Sequence, residues 1–402
     1  MIIRYIVLLV GCILLLPVQG QSQIKLISQE VVSNHLGIAI AEVENQADAM
    51  LSKAELFPDD PEIEYGYLWG SPSFIGNRHD LSLTQRLKLP GYYKARKKFN
   101  SLELEKQVVE QSILKNETLY AALVQLLQIS YLMDRQSLIK ERLLRWQEIE
   151  TLSAKRRDLG EGNTIELDKL KLMTLQSKQE LISLISEERS QYLSLKQLNG
   201  NVEVKEYSSL VGDWIIMIEN ADNNGSIKNS PLYQNTILAT QKASVQLKVS
   251  KKERLPDLQF GYRSEVLGTE KVAGAVLGLS IPIWGKSSKI QSAQLALKGK
   301  EMRTALMEQQ LETHVDIHLE RANNAKTILG LYNQALSENK SRDLLSRMYE
   351  LGEISLQEFL LELPYYYQLE DKVLDAKRDF VQASLDKNRN WLSVLILKQE
   401  NR

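Results

Sequence analysis

One short segment is written twice in this chain. PEIEYGY at 61–67 returns as PDLQFGY at 256–262, and upstream Asn34, Gln46 and Lys53 match Asn229, Gln241 and Lys248 at the same offset of 195. Downstream, LSLTQRLKLPG (81–91) matches LGLSIPIWG (277–285) across a two-residue gap, and LGEGNTIEL (159–167) matches LGEISLQEF (351–359) at an offset of 192. Four blocks in the same order are the mark of a tandem duplication, so each half must be built from the same elements. The expected organisation is a leader at 1–20, a first repeat at 21–199, a joint at 200–228 rich in Asn, Asp and Gly near its end, and a second repeat at 229–402.

Within a repeat the longest element is helical. No Gly or Pro interrupts the residues between Gly91 and Gly160, and Leu102, Val109, Ile113, Tyr120, Leu123 and Leu127 recur at coiled-coil-like spacing. A helix over most of this segment is about 90 Å long. A second run covers 163–199; between the two, Gly160 terminates one helix, and Asn163 or Thr164 caps the next. The second copy departs from the first at Gly299 and Gly330 in its first long helix, and at Pro364, where a kink is expected in its second.

The strands carry the functional signal. In IEYGYLWG, Ile63, Tyr65, Tyr67 and Trp69 share one face, while Glu64, Gly66 and Leu68 share the other. Its partner puts Leu81, Leu83, Leu87 and Leu89 opposite Ser82, Thr84, Arg86 and Lys88; in the second copy Phe260 and Tyr262 lie on one strand, and Leu277, Leu279, Ile281 and Ile283 on the other. A half-buried sheet of a soluble protein accounts for alternation alone. An apolar face rich in Tyr and Trp, backed by a face with Arg and Lys, is what a membrane barrel needs. Four strands cannot close a barrel, and a sheet cannot leave open edges in hydrocarbon. Three copies give twelve strands. The expected fold is therefore mainly α with a small membrane β-barrel: tandem-duplicated long helical hairpins, and four strands per chain completing a 12-stranded barrel in a trimer. Tyr65, Tyr67, Trp69, Leu81, Leu83, Phe260, Tyr262, Leu279 and Ile281 are expected on its lipid face.

MIIRYIVLLVGCILLLPVQG has one Arg, an apolar run and a small residue at Gly20, which reads as a secretory signal peptide cleaved after Gly20. A membrane anchor is the other reading of this stretch, and LVGC also resembles a lipoprotein box that would lipidate Cys12. Cleavage after Gly20 removes the single cysteine, leaving an exported chain without disulfides or thiol ligands. A net charge of -1 offers nothing to nucleic acid.

The Pro-led strands at 61–67 and 256–262, the aliphatic strands ending LKLPG and IPIWG, and the LGE-x-x-x-x-E turns together resemble the TolC family of outer-membrane efflux channels over nearly all of the mature chain. The resemblance implies a homotrimer in the outer membrane of a Gram-negative bacterium, its barrel continued by a periplasmic α-helical tunnel. It further implies docking onto a periplasmic adaptor (membrane fusion) protein and an inner-membrane pump of the RND type. LSLTQRLKLPGYYKARKK is closest to members paired with heavy-metal or cation exporters. In the family the tunnel closes at the hairpin tips: Glu166 and Glu358 stand where its Asp residues are, and Tyr349 where its gate Tyr is. The gate Arg falls on Ile354, leaving Arg347 or Arg156 to substitute; the first helix starts near Ile27, later than is usual. Arg156, Asp158, Gly160, Glu161, Glu166, Arg347, Tyr349, Gly352, Glu353 and Glu358 are the candidate gate and docking residues.

HVDIH sets His314 and His318 one helical turn apart, a metal-ligand spacing that two polar helix residues produce equally well. ARKKF and SAKRRD read as solvated helix faces, although Lys94, Arg96, Lys97 and Lys98 follow the first hairpin closely enough to meet lipid headgroups. No cofactor is called for: glycine loops for phosphate and Cys clusters are absent, no nucleophile–base pairing is evident, and the chain does not read as an enzyme. A periplasmic coiled-coil structural protein or adaptor is the alternative, and the doubled hairpin and four aromatic-rimmed strands argue against it.

Overall fold

The computed structural model describes residues 19–72, 76–160, 163–204, 214, 227–282, 284–338 and 341–392. The leader with Cys12, most of the joint at 200–228, Glu161 and Ile283 lie outside the described residues. The elements run α1 (Gln19–Asn34), α2 (Leu36–Ala54), β1 (Glu62–Leu68), β2 (Arg78–Leu87), α3 (Pro90–Asp158) and α4 (Thr164–Leu198). They continue with a 3-10 turn (Ile227–Asn229), α5 (Pro231–Lys252), β3 (Asp257–Leu267), β4 (Glu270–Ser280), α6 (Lys286–Glu338), α7 (Ser341–Leu351), α8 (Leu356–Asn388) and a 3-10 turn (Arg389–Trp391). The fold is mainly α with one four-stranded antiparallel sheet, as expected. Among the described residues, no helix is long and apolar enough to cross a membrane.

Local chemistry sets the ends of these elements. Pro90 opens the 69-residue α3, where its missing N–H costs nothing. Gly160 ends the turn after it at φ +84, a conformation in which a Cβ is strained. Asn163 caps α4, its side chain accepting from the Ile165 N–H at 2.9 Å. The second copy repeats the device with Gly352 at φ +77 and Ser355 as N-cap. α6 passes through Gly299 and Gly330, and α8 continues through Pro364. α1 begins at Gln19, earlier than the Ile27 expected.

The chain forms two compact units, each drawing on both sequence repeats. The first comprises 1–39, 113–225 and 311–402. Its core joins Ile24, Ile27 and Val31 of α1 to Leu119, Leu123 and Leu126 of α3, Leu195 of α4 and Val381 and Leu385 of α8. A second cluster holds Trp146, Leu170, Tyr349, Phe359 and Leu363. The second unit, 40–112 and 226–310, contains the sheet, and in it Leu102 of α3 packs on Leu238 and Val245 of α5. Burying an apolar stripe along two or three partners is how helices of this length gain their stability, since propensity alone is marginal.

The candidate channel sheet and the helical tips

The sheet order is β1-β2-β3-β4, all antiparallel, so β1 and β4 are edges of the described sheet. Ile63 faces Leu83, Tyr65 faces Leu81, Leu83 faces Tyr262, Gln85 faces Phe260, Phe260 faces Leu277 and Leu258 faces Leu279. Directly opposed residues share a face. Tyr65, Tyr67, Leu81, Leu83, Phe260, Tyr262 and Leu279 therefore stand on one side. That side is open: Ile63 is 74%, Tyr65 64% and Leu277 77% exposed in the chain. Trp69 and Ile281 fall one residue beyond β1 and β4, so pairing does not assign them to this face. β4 is shifted toward the N-terminus relative to LGLSIPIWG because Pro282 cannot donate to a ladder. Trp69 stacks edge-on against Tyr67 at 5.3 Å, and His79 accepts or donates at 2.8 Å to the Tyr65 hydroxyl.

The opposite face is mostly polar. Glu62 opposes Thr84, Glu64 opposes Ser82 and Asp80 opposes Glu265, with Leu68, Leu267, Val272 and Val276 the apolar exceptions. Two like carboxylates are held there by two guanidiniums. Arg78 Nε donates to Asp80 at 2.8 Å and its Nη2 meets Glu265 at 2.8 Å; Arg263 lies 3.0 Å from Glu265 and 3.9 Å from Asp80. The recurrent aromatic-Gly-Tyr has a steric cause at its second copy. A Cβ at Gly261 would stand 2.7 Å from the Leu83 carbonyl oxygen and 2.8 Å from Thr84 Cγ2. Only glycine admits this approach.

At the tips, Arg156 donates to the carbonyls of Tyr349 (3.4 Å) and Glu350 (3.2 Å), at the C-terminal end of α7 where the dipole favours a cation. Its guanidinium also lies 5.0 Å over the Tyr349 ring. Tyr349 is buried at 3% exposure, its hydroxyl 2.8 Å from Ser153 Oγ and its ring 5.0 Å from Phe359. Glu358 closes a capping box with Ser355: it accepts from the Ser355 N–H at 2.8 Å, and its own N–H donates to Ser355 Oγ at 3.2 Å. Those hydrogen bonds from Ser355, backbone first, hold the Glu358 carboxyl below its ordinary value. Glu166 sits in the first turn of α4. Asp158 pairs with neighbouring Arg157 at 2.7 Å. Arg347 and Glu353 are exposed, and Arg347 lines a 310 Å³ cleft with Arg145, Glu148, Tyr349, Glu350 and Phe359.

Sequence reading missed an ionic ladder between α3 and α8. Tyr120 donates to Asp386 at 2.5 Å and Tyr131 to Asp375 at 2.7 Å, and Arg142 meets Asp371 at 2.9 Å and Glu370 at 3.2 Å. Burial first, and then the bond to Asp386, push the Tyr120 hydroxyl up to about 12. The available signal was the spacing of 11 between Tyr120, Tyr131 and Arg142 on α3; the partners on α8 are spaced 11 and then 4 apart, so the pattern does not name them.

His314 and His318 lean together with ring centroids 4.2 Å apart, and His318 Nδ1 lies 4.0 Å from Asp386. Among the described residues, no group of three or more His, Cys, Asp or Glu is placed to hold a metal. Both imidazoles sit below their ordinary value through burial, helped at His314 by the charges of His318 and Arg389 and opposed by Asp386. As pH falls below the ordinary value of 6.5, the unfolded chain takes up these protons first. The stability present above that pH is then lost until the lower folded values are passed. Thermal melts between pH 7 and 5 should fall more steeply for the native chain than for H314Q/H318Q, and parallel curves would refute the assignment.

No family model matches the chain, and no curated protein matches it by sequence. Solved structures do. The chain is similar to VceC, an outer membrane protein from Vibrio cholerae (TM-score 0.74, 11% identity, 91% of this chain and 95% of that one). It is similar to CusC, whose structures concern folding and transmembrane channel formation (0.73, 14%, 93% and 92%). It is also similar to the open state of the MtrE outer membrane channel of Neisseria gonorrhoeae (0.71, 13%, 92% and 88%). At such identities the likeness is one of fold: this chain has the architecture of outer-membrane channel proteins over nearly its whole length. It is the architecture that the resemblance to the TolC family implied.

Proposed function

We propose that this protein is the outer-membrane channel of a tripartite efflux system, a homotrimer whose four-stranded sheets close into a 12-stranded barrel and whose long helices form a periplasmic tunnel. The observation that carries the reading is the sheet. One face is apolar, aromatic and uncovered, the other is ion-paired, and β1 and β4 leave unpaired backbone that hydrocarbon would not tolerate. Edge joined to edge in three copies satisfies those groups. A periplasmic adaptor protein and an inner-membrane RND-type pump are the implied partners, and metal ions or other small molecules the cargo. The heavy-metal subtype rests on the sequence block LSLTQRLKLPGYYKARKK. A structural coiled-coil protein or an adaptor has no use for such a sheet.

Purified protein should run as a heat-modifiable trimer in detergent and conduct in planar bilayers; a chain that is monomeric and soluble without detergent would overturn the reading. The tips are the proposed gate and docking surface. Exposed ion pairs there are worth about 0–1 kcal/mol each, so closure requires several. Neutralising Glu166, Glu358 and Arg347 together should raise single-channel conductance in intact trimers. Unchanged conductance would place the gate elsewhere.

A further inference from the structure

We infer that the junction between sheet and helices is a binding belt for anionic phospholipid headgroups. The inference rests on the proposed membrane placement of the sheet and adds the lipid class it selects.

Six cations gather where strands become helices. Lys94, Lys97 and Lys98 lie at i, i+3 and i+4 on the first turns of α3, and so on one helix face. Lys251 and Lys252 end α5, and Arg254 follows within the link to β3. The two groups belong together: a Cβ on Gly91 would lie 3.5 Å from the Lys252 side chain. All six are exposed, and none has an ion-pair partner among the described residues. The neighbouring acids are taken by other cations. Glu55 binds Arg96 at 2.6 Å, Glu253 binds Lys289 at 2.6 Å, and Asp257 meets Lys88 at 3.5 Å. Asp59 and Asp60, on the link before β1, and Glu62 at its first residue are the acids left to oppose six positive charges. In a chain of net charge -1 this is a marked local excess.

The excess sits at one level along the sheet. α3 starts three residues after β2 ends, and α5 stops five residues before β3 begins. At about 1.5 Å per helical residue, Lys98 is about 12 Å into the helix. The headgroup layer on one side of a bilayer is about 5–8 Å thick, and a lysine stem can bend its ammonium back toward it. Exposed aromatics mark the same level: Trp284 at 86%, and Phe57 at 75%. Aromatic rings and unpaired cations beside an apolar sheet face match an anionic membrane surface. Each such cation contributes about a fivefold preference near the surface, the equivalent of about 1 kcal/mol.

The test uses the full mature chain in nanodiscs of phosphatidylcholine alone and of phosphatidylcholine with phosphatidylglycerol, comparing lipids retained on gentle extraction by native mass spectrometry. Trimer formation and conductance in phosphatidylcholine alone are read first, and their failure counts against the channel reading rather than this one. Phosphatidylglycerol should be enriched at least fivefold over its share of the disc, and the enrichment should collapse in 1 M salt, where the screening length is about 3 Å. Substituting all six cations with glutamine should abolish the enrichment. K94Q/K97Q/K98Q, a milder variant for use if that one misfolds, should weaken it. Equal retention of the two lipids would overturn the inference, as would enrichment unchanged in a folded variant. A variant altered only in the ion selectivity of its current would place these cations in the pore and also overturn it.

Discussion

Replacing Arg142 with alanine should destabilise the helical unit by about 3–5 kcal/mol. The guanidinium is 8% exposed and stands on α3 between two carboxylates of α8, Glu370 (13%) and Asp371 (24%). It also donates to the Tyr367 carbonyl at 2.8 Å and lies 4.6 Å over the Tyr367 ring. Removing it takes the nearest guanidinium away from Glu370 and Asp371, part-buried neighbours on α8. The cost is therefore mostly that of part-buried carboxylates losing compensation rather than the lost attraction. A triple change, R142M/E370Q/D371N, should recover much of the loss, because it removes the charges together. Denaturant unfolding in detergent, with circular dichroism as the probe, measures both. If R142A loses less than about 1 kcal/mol, the ladder is a solvated surface feature.

Arginine at Leu83 should impair barrel assembly, at a cost of about 2–4 kcal/mol if the residue meets mid-membrane hydrocarbon. Leu83 lies between Ile63 and Tyr262 on the apolar face, with nothing there to pair a guanidinium. Thr84 is one residue away on the same strand and provides the control. It faces Glu62 across the polar side, where an arginine gains a partner and keeps its water. T84R should assemble as well as the native chain. The two trimer yields, read from unheated gels after outer-membrane extraction, decide the orientation of the sheet. Equal damage from both would mean that both faces are packed, and damage from T84R alone that the faces are reversed.

Both predictions concern helices and strands visible in the sequence, yet only one concerns a contact that was legible there. Alternation in EYGYL and DLSLTQRL placed apolar and polar residues on opposite faces, because a strand has a period of two and any pairing in register preserves it. What alternation could not give was where pairing stops. Pro282 ends β4 early, and Trp69 and Ile281 drop out of the ladder despite continuing the pattern. The tips show the same division. Gly160 and Asn163 were readable as turn and cap chemistry, which Gly352 and Ser355 repeat in the second copy, since a cap acts within three or four residues. The box that Glu358 closes with Ser355 is equally local, three residues long, and went unread; that Arg156 spends its donors on the end of α7 depends on segments 194 residues apart in the chain.

The amino-acid sequence by itself determined the duplication, the two long helices of the first repeat, the turns and the two faces of each strand. These are local or periodic properties, fixed by steric limits on a few neighbouring residues and by the repeat itself. Tertiary structure alone decided which faces meet. Arg142 finds Asp371 across 229 residues of chain, Tyr120 finds Asp386 across 266, and Lys252 comes to rest beside Gly91. Such partners are chosen when long amphipathic helices pack in register, and the register is a sum over many weak apolar contacts that no single segment contains.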